Sequence, residues 1–109
     1  GANFFVVTDG KLRTPKTEST LQGVSRLTVI EIAEALGIPV VEDDLQPYDV
    51  YTADEAFLCS TPYCILPVGS VDKRKIGNTV PGPITNQLIA AWSERVSLDI
   101  VDQLTRLKR

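Results

Sequence analysis

The fold is decided by one stretch near the start of the chain, which reads Asn3-Phe4-Phe5-Val6-Val7-Thr8-Asp9-Gly10-Lys11-Leu12-Arg13-Thr14-Pro15. Its apolar run over residues 4–7 is typical of a buried strand. Asp9-Gly10 is the strongest short signal for a hairpin turn. Residues 11–14 return as a second strand, which Pro15 ends. The stretch therefore predicts a β-hairpin at the start of the domain.

Beyond this hairpin, residues 24–36 change to a helical periodicity. We expect one broad apolar face directed to the core, made of Val24, Leu27, Ile30, Ala33 or Glu34, and Leu36. The charged residues Arg26, Glu31 and Glu34 are expected outside it. Gly37 stands where a glycine commonly ends a helix. The start of this helix has no charged group, and several of its backbone N–H groups lack a helical partner.

The rest of the chain alternates between strand and helix signals. Strands are predicted over residues 38–42, 56–59 and 64–68, and a charged hairpin over residues 71–76. A short helix is predicted near residues 46–51, a longer one over 84–96 after Pro83, and a second short one over 98–107. Interleaved strands and helices indicate an α/β domain with a mixed β-sheet.

Composition excludes several classes of function. The chain has 109 residues, which suits one domain, and no histidine, so a Ser-His-Asp triad, a Cys-His pair and a histidine-based metal site are impossible. Its net charge is −3 without a basic cluster, so we expect no nucleic-acid partner. Cys59 and Cys64 match no zinc or redox spacing and are interpreted as buried apolar residues. No apolar run approaches the roughly 20 residues needed to span a bilayer and no signal peptide is visible, so we expect no membrane partner and a cytoplasmic location.

Two segments could bind an anion. Gly23-Val24-Ser25 is a glycine turn that opens a helix, where free N–H groups and the helix dipole favour negative charge. Alternatively, Ser25 only caps the helix, and the residues alone favour this simpler interpretation. Ser60-Thr61 is a hydroxyl pair between two apolar strands that could bind phosphate or carboxylate oxygens, but these residues alone favour an ordinary loop in which the hydroxyls bond to the backbone.

The order and spacing of the whole chain decide between these interpretations. They resemble the C-terminal domain of class IV (branched-chain and D-amino acid aminotransferase-like, fold-type IV) aminotransferases from residue 1 to about residue 92. The matching segments are Gly1-Ala2-Asn3-Phe4-Phe5, Asp9-Gly10, Thr14-Pro15, Gly23-Val24-Ser25-Arg26, Leu36-Gly37-Ile38, Ala53-Asp54-Glu55-Ala56-Phe57, Ser60-Thr61, Pro67-Val68, Val71-Asp72, Ile76-Gly77 and Pro81-Gly82-Pro83-Ile84-Thr85.

The resemblance implies that residues 1–109 form a domain that binds the phosphate of pyridoxal 5′-phosphate. Gly23-Val24-Ser25 would give backbone N–H groups and a hydroxyl to that phosphate, and Ser60 and Thr61 would form a second contact with it. Leu21 would pack against the pyridine ring. The turn at Thr61 and Pro62 would hold the substrate carboxylate, although Pro62 has no N–H and removes one common donor.

The family's catalytic lysine and the glutamate that contacts the ring nitrogen belong upstream of Gly1. The chain has five lysines, and none stands at a matching position: Lys11, Lys16, Lys73, Lys75 and Lys108. We therefore expect a fragment of a longer enzyme, without a catalytic residue of its own and inactive alone. Three further departures, Gln22, Lys73 and Thr79, leave the substrate class open together with Pro62.

The expected parent protein is a homodimeric enzyme that transfers an amino group between an amino acid and a 2-oxo acid. A lyase resembling aminodeoxychorismate lyase would share this domain and its phosphate motif. A stand-alone, non-catalytic module that uses the sheet for protein contacts is the third possibility. It would bind no phosphate ligand.

Overall fold

A computed structural model describes residues 3–16, 24–60 and 64–107, with side chains described for 3–16, 25–59 and 65–97. The strands are β1 (Asn3–Thr8), β2 (Lys11–Thr14), β3 (Val40–Glu42), β4 (Glu55–Ser60), β5 (Cys64–Pro67), β6 (Ser70–Val71) and β7 (Arg74–Lys75). The helices are α1 (Val24–Ala35), α2 (Pro47–Tyr51) and α3 (Pro83–Leu107). The predicted α/β architecture with a mixed sheet is confirmed.

The main sheet has five strands in the order β3-β2-β1-β4-β5, so the opening strand lies at its centre. β1 is antiparallel to β2 and β4, β4 is antiparallel to β5, and β2 is parallel to β3. The register places Asn3 opposite Cys59 and Thr14 opposite Glu42. We call this edge of the sheet, where β1 begins and β2, β3 and β4 end, the Asn3 end.

Turn chemistry explains the central hairpin. Asp9 and Gly10 both have positive φ angles, 51° and 75°, as the two-residue turn between twisted antiparallel strands requires. Asp9 accepts this backbone because short polar side chains tolerate the left-handed region better than most. The backbone N–H of Asp9 also donates to a carboxylate oxygen of Asp54 at 3.0 Å. The predicted hairpin is therefore confirmed at both of its turn positions.

Side chains alternate between the two faces of the sheet, as the period of a strand demands. Phe5 and Phe57 lie on the face covered by α1 and α3, with stacked rings whose centroids are 5.0 Å apart. Val6 and Ala56 lie on the opposite face, in a smaller apolar cluster with Ala53 and Ile76. Both faces of the central strands are thus buried.

The predicted orientation of α1 is only partly correct, since Ala33 is buried and Glu31 and Glu34 are exposed, as predicted. Leu27 and Leu36 are 45% and 47% exposed, whereas Arg26 is fully buried. The buried face is formed by residues that the predicted face mostly left out: Ser25, Arg26, Val29, Ile32 and Ala33. Burial of Arg26 is possible because its guanidinium has acceptors, so hydropathy alone places it on the wrong side.

The end of α1 follows its local sequence signal, whereas the start of β3 and the length of α3 differ from the prediction. Gly37 has a φ of 78° and follows α1, and the N–H of Ile38 donates to the Ala33 carbonyl at 2.8 Å. This closure occupies Ile38, so β3 begins at Val40 rather than at residue 38. α3 is one continuous helix, not two, because residues 84–107 contain neither glycine nor proline to end it. None of the described helices is both long and apolar enough to cross a membrane.

Candidate functional site

The first turn of α1 lies at the Asn3 end of the sheet. β2 reaches this end at Thr14, and the turn after α1 meets the other end of β2, where the N–H of Leu12 donates to the Pro39 carbonyl at 2.8 Å. α1 therefore runs antiparallel to β2. Contacts of Arg26 agree, because its guanidinium donates to the Pro15 carbonyl at 3.3 Å. The helix N-terminus thus meets the edge where β4 ends at Ser60.

Ser25 is the one predicted site residue whose side chain is described. It is 1% exposed, and within the described part of the chain its Oγ has no hydrogen-bond partner. The helix already begins at Val24, so Ser25 lies inside the first turn. These observations contradict the interpretation of Ser25 as a side-chain cap. A buried hydroxyl without a partner is costly and requires an explanation, such as a bound group.

The N-termini of α1 and α3 differ in charge compensation. At the start of α3, both carboxylate oxygens of Glu55 accept backbone N–H groups, from Ile84 at 3.1 Å and from Thr85 at 2.7 Å. Glu55 is 6% exposed, so a negative charge from the protein itself compensates that helix end. The first turn of α1 has no acidic residue, and the buried Arg26 lies within it. Electrostatics at α1 therefore favour an anion from outside the described residues.

The cysteine beside this site is not a nucleophile. Cys59 is buried, and burial raises the pKa of its thiol to about 11, while a backbone hydrogen bond from Asn3 and the charge of Arg26 oppose this shift only in part. A thiol with this pKa is protonated at neutral pH. The prediction that Cys59 is a buried apolar residue is confirmed.

The other predicted site residues are only partly described. Val24 is the first residue of α1, and Ser60 is the last residue of β4, where it pairs with Cys64 at the Asn3 end. The backbone thus brings the ends of two predicted contact segments to the same edge of the sheet. The remaining predicted residues, Leu21, Gly23, Thr61 and Pro62, lie outside the described residues.

Two features of the structure were not predicted. Arg26 was assigned to solvent, although its place directly after Ser25 in a matching segment could have indicated a role near the helix start. The second feature is a cleft of about 360 Å³ between the β1–β2 turn and the loop before α3. Val7 and Glu55 line it, and they pair with each other at the end of the sheet opposite to Asn3. The cleft is therefore separate from the first turn of α1.

The chain belongs to the class IV aminotransferase family. The family model for amino-transferase class IV matches residues 1–71, which include β1, β2, α1, β4 and the segments between them. The resemblance found in the sequence is confirmed.

Several relatives are named branched-chain amino acid aminotransferases. One from Pseudomonas aeruginosa is 38% identical over 97 residues, which are 89% of this chain and 32% of the relative. The holo-form structure of the Thermobaculum terrenum enzyme, with pyridoxal phosphate, superposes with a TM-score of 0.82 at 43% identity, over 88% of this chain and 32% of that one. The structure of the Escherichia coli enzyme gives a TM-score of 0.75 at 43% identity, over 81% and 30%. The chain thus spans about a third of the length of its relatives.

Proposed function

We propose that this chain is the C-terminal, cofactor-phosphate-binding part of a pyridoxal-phosphate-dependent aminotransferase. The enzyme would transfer an amino group between a branched-chain amino acid and a 2-oxo acid, the activity for which its relatives are named. The observation that carries the proposal is the buried Oγ of Ser25, which has no hydrogen-bond partner among the described residues and lies in a first helical turn without an acidic residue. We further propose that the complete protein is a cytoplasmic homodimer.

The residues at the Asn3 end fit a phosphate group. A phosphate dianion accepts hydrogen bonds, and a helix N-terminus offers N–H donors with the positive end of the helix dipole. The Ser25 hydroxyl, which has no partner among the described residues, would donate a hydrogen bond to a phosphate oxygen. Glu55, which occupies the N-terminus of α3, is the opposite case, because it excludes an anion there.

The proposed roles follow the chain around this edge. Val24 and Gly23 would donate backbone N–H groups to the phosphate. Ser60, the last residue of β4, and Thr61, which follows it in the sequence, would supply the remaining hydrogen bonds. Leu21 would pack against the pyridine ring. When bound, pyridoxal phosphate supplies the electron sink that lets an amino group leave one substrate and join another. The protein's part is to bind this group, orient it and exclude water from it.

The substrate carboxylate would lie at the turn formed by Thr61 and Pro62. Since Pro62 has no N–H, this turn offers one donor fewer than a turn without proline. We expect the carboxylate to rely on the remaining backbone donor and on the hydroxyl of Thr61. The amino acid and the 2-oxo acid are the proposed small-molecule partners.

The test substitutes Ser25→Ala in the protein expressed at its full natural length. The dissociation constant of pyridoxamine 5′-phosphate should rise about tenfold to a hundredfold, since a hydrogen bond to a charged group contributes roughly 1.5–3 kcal/mol and each 1.4 kcal/mol is about a factor of ten. The urea unfolding free energy without ligand should hardly change, because the lost hydroxyl has no partner among the described residues. Transfer of the amino group from a branched-chain amino acid should weaken at low cofactor concentration.

Thr85→Val is the matched control. Thr85 is also fully buried in the first turn of a helix, and its Oγ1 has no hydrogen-bond partner among the described residues. It lies in α3, beside Glu55, at the end of the sheet opposite to the proposed site. Its substitution should leave cofactor affinity unchanged. Equal affinities for the wild type and Ser25→Ala would refute the phosphate assignment.

A further inference from the structure

Arg26 is the largest fully buried side chain in the part of the chain that the structure describes. It directly follows Ser25 in the first turn of α1. Burying a guanidinium removes it from water at a high cost in free energy, and a buried ion pair is often no more stabilising than apolar residues of similar volume. Stability alone is therefore a weak reason for an arginine at this position.

The contacts of Arg26 connect α1 to the neighbouring strands. Its Nη2 donates to the Pro15 carbonyl at 3.3 Å, just after β2. The same nitrogen lies 3.4 Å from a carboxylate oxygen of Glu42, the last residue of β3. These contacts hold the first turn of α1 against two strands at the Asn3 end.

The ion pair between Arg26 and Glu42 is asymmetric in its exposure to water. The guanidinium side chain is 1% exposed, whereas the Glu42 side chain is 45% exposed and remains largely solvated. Water screens the field of an exposed carboxylate more strongly than that of a buried cation. The field of Arg26 also reaches β4, because it lowers the pKa of the Cys59 thiol against the larger opposing effect of burial.

We infer that Arg26 is a positioning residue for the phosphate group, which fixes the first turn of α1 and adds positive potential to the helix N-terminus. The inference rests on the proposed function, in which a phosphate binds at this turn. It assigns to Glu42 the opposite electrostatic effect, since its carboxylate weakens the potential that Arg26 produces. A purely structural role would make both partners of the ion pair favourable to binding.

The experiment compares pyridoxamine 5′-phosphate with pyridoxamine in the protein at its full natural length. The ratio of the pyridoxamine dissociation constant to that of its phosphate isolates the contribution of the phosphate from that of the ring. Arg26→Met should reduce this ratio about tenfold, and Arg26→Lys should reduce it less because the charge is kept. Glu42→Gln should raise the ratio about twofold to threefold, since it removes the negative charge that weakens the positive potential of Arg26.

Arg13→Met is the matched control. Arg13 also pairs with two carboxylates, Asp43 and Asp49. Its side chain, however, points to the face of the sheet opposite to that of its neighbour Leu12, which packs against α1. Its loss should leave the ratio of dissociation constants unchanged, even where it lowers the unfolding free energy. A ratio that falls in this variant as it does in Arg26→Met would overturn the inference.

The outcomes separate the inference from the proposed function. An unchanged ratio in Ser25→Ala would refute the phosphate site and, with it, the role of Arg26. A reduced ratio in Ser25→Ala with an unchanged one in Arg26→Met would refute only the role of Arg26. If Arg26→Met does not fold, Glu42→Gln decides, since a raised ratio supports the electrostatic role and a lowered or unchanged one overturns it.

Discussion

The substitution Gly82→Ala should destabilise the protein through a carboxylate that lies distant in sequence. Gly82 directly precedes α3, and a Cβ added there would overlap Cγ, Cδ and Oε1 of Glu55. That carboxylate accepts the N–H groups of Ile84 and Thr85. One methyl group would therefore displace the Glu55 side chain and leave two N–H groups at the start of α3 without their acceptor.

The magnitude follows from these two bonds. A hydrogen bond to a charged group contributes roughly 1.5–3 kcal/mol, and two that share one carboxylate are not fully additive. We expect Gly82→Ala and Glu55→Ala each to lower the unfolding free energy by about 3–4 kcal/mol. This loss is a large part of the roughly 5–15 kcal/mol that holds a typical domain folded.

Urea unfolding of a double-mutant cycle tests the mechanism. Once Glu55→Ala has removed the obstructing side chain, Gly82→Ala should cost less than about 1 kcal/mol. Asp54→Ala is the control, because Asp54 is an exposed neighbouring carboxylate that accepts the Asp9 N–H, and its loss should cost about 1 kcal/mol or less. If Gly82→Ala costs the same with and without Glu55, displacement of the carboxylate is not the cause.

Two further predictions concern the decrease in unfolding free energy at acidic pH and the buried face of α1. The backbone N–H of Gln46 and, against an opposing effect of burial, the Arg13 side chain hold the pKa of Asp49 below its usual value of 3.8. The contribution of Asp49 to stability is therefore present above that value and lost as the pH falls through the lower folded pKa, so Asp49→Asn should flatten the acid limb of a urea-unfolding series below about pH 4. Val29→Ala should cost about 1–3 kcal/mol and Leu27→Ala less than about 1 kcal/mol in the same assay, because Val29 is fully buried and Leu27 is 45% exposed. Equal costs at the two positions, or an unchanged acid limb, would contradict the structure.

Local signals predicted most of the fold. Asp9-Gly10 marks the central hairpin and Gly37 follows α1, since both positions require a positive φ that few other residues adopt readily. The orientation of α1 could not be predicted in this way. Periodicity grouped Leu27 with the core and Arg26 with solvent, but Arg26 contacts Pro15 and Glu42, 11 and 16 residues away in the sequence.

The candidate site shows the same division between local and distant information. The resemblance predicted that Ser25 contacts a phosphate, but its burial and its lack of a described partner depend on how α1 lies on the sheet. Glu55 caps the start of α3, but the separation of 30 positions from Thr85 conceals this partner in the sequence. The partners of these side chains depend on contacts between residues distant in sequence, which local motifs do not reveal.

The N-termini of α3 and α1 differ in whether the protein itself stabilises them. At α3 the protein compensates the helix dipole internally, through Glu55. At α1 it leaves a buried hydroxyl without a described partner next to a buried cation. Under the proposed function, both features become favourable when a phosphate binds, because the hydroxyl then has an acceptor and the cation a further counter-charge. Ligand binding at the Asn3 end should therefore stabilise the folded state, as any ligand specific for that state does.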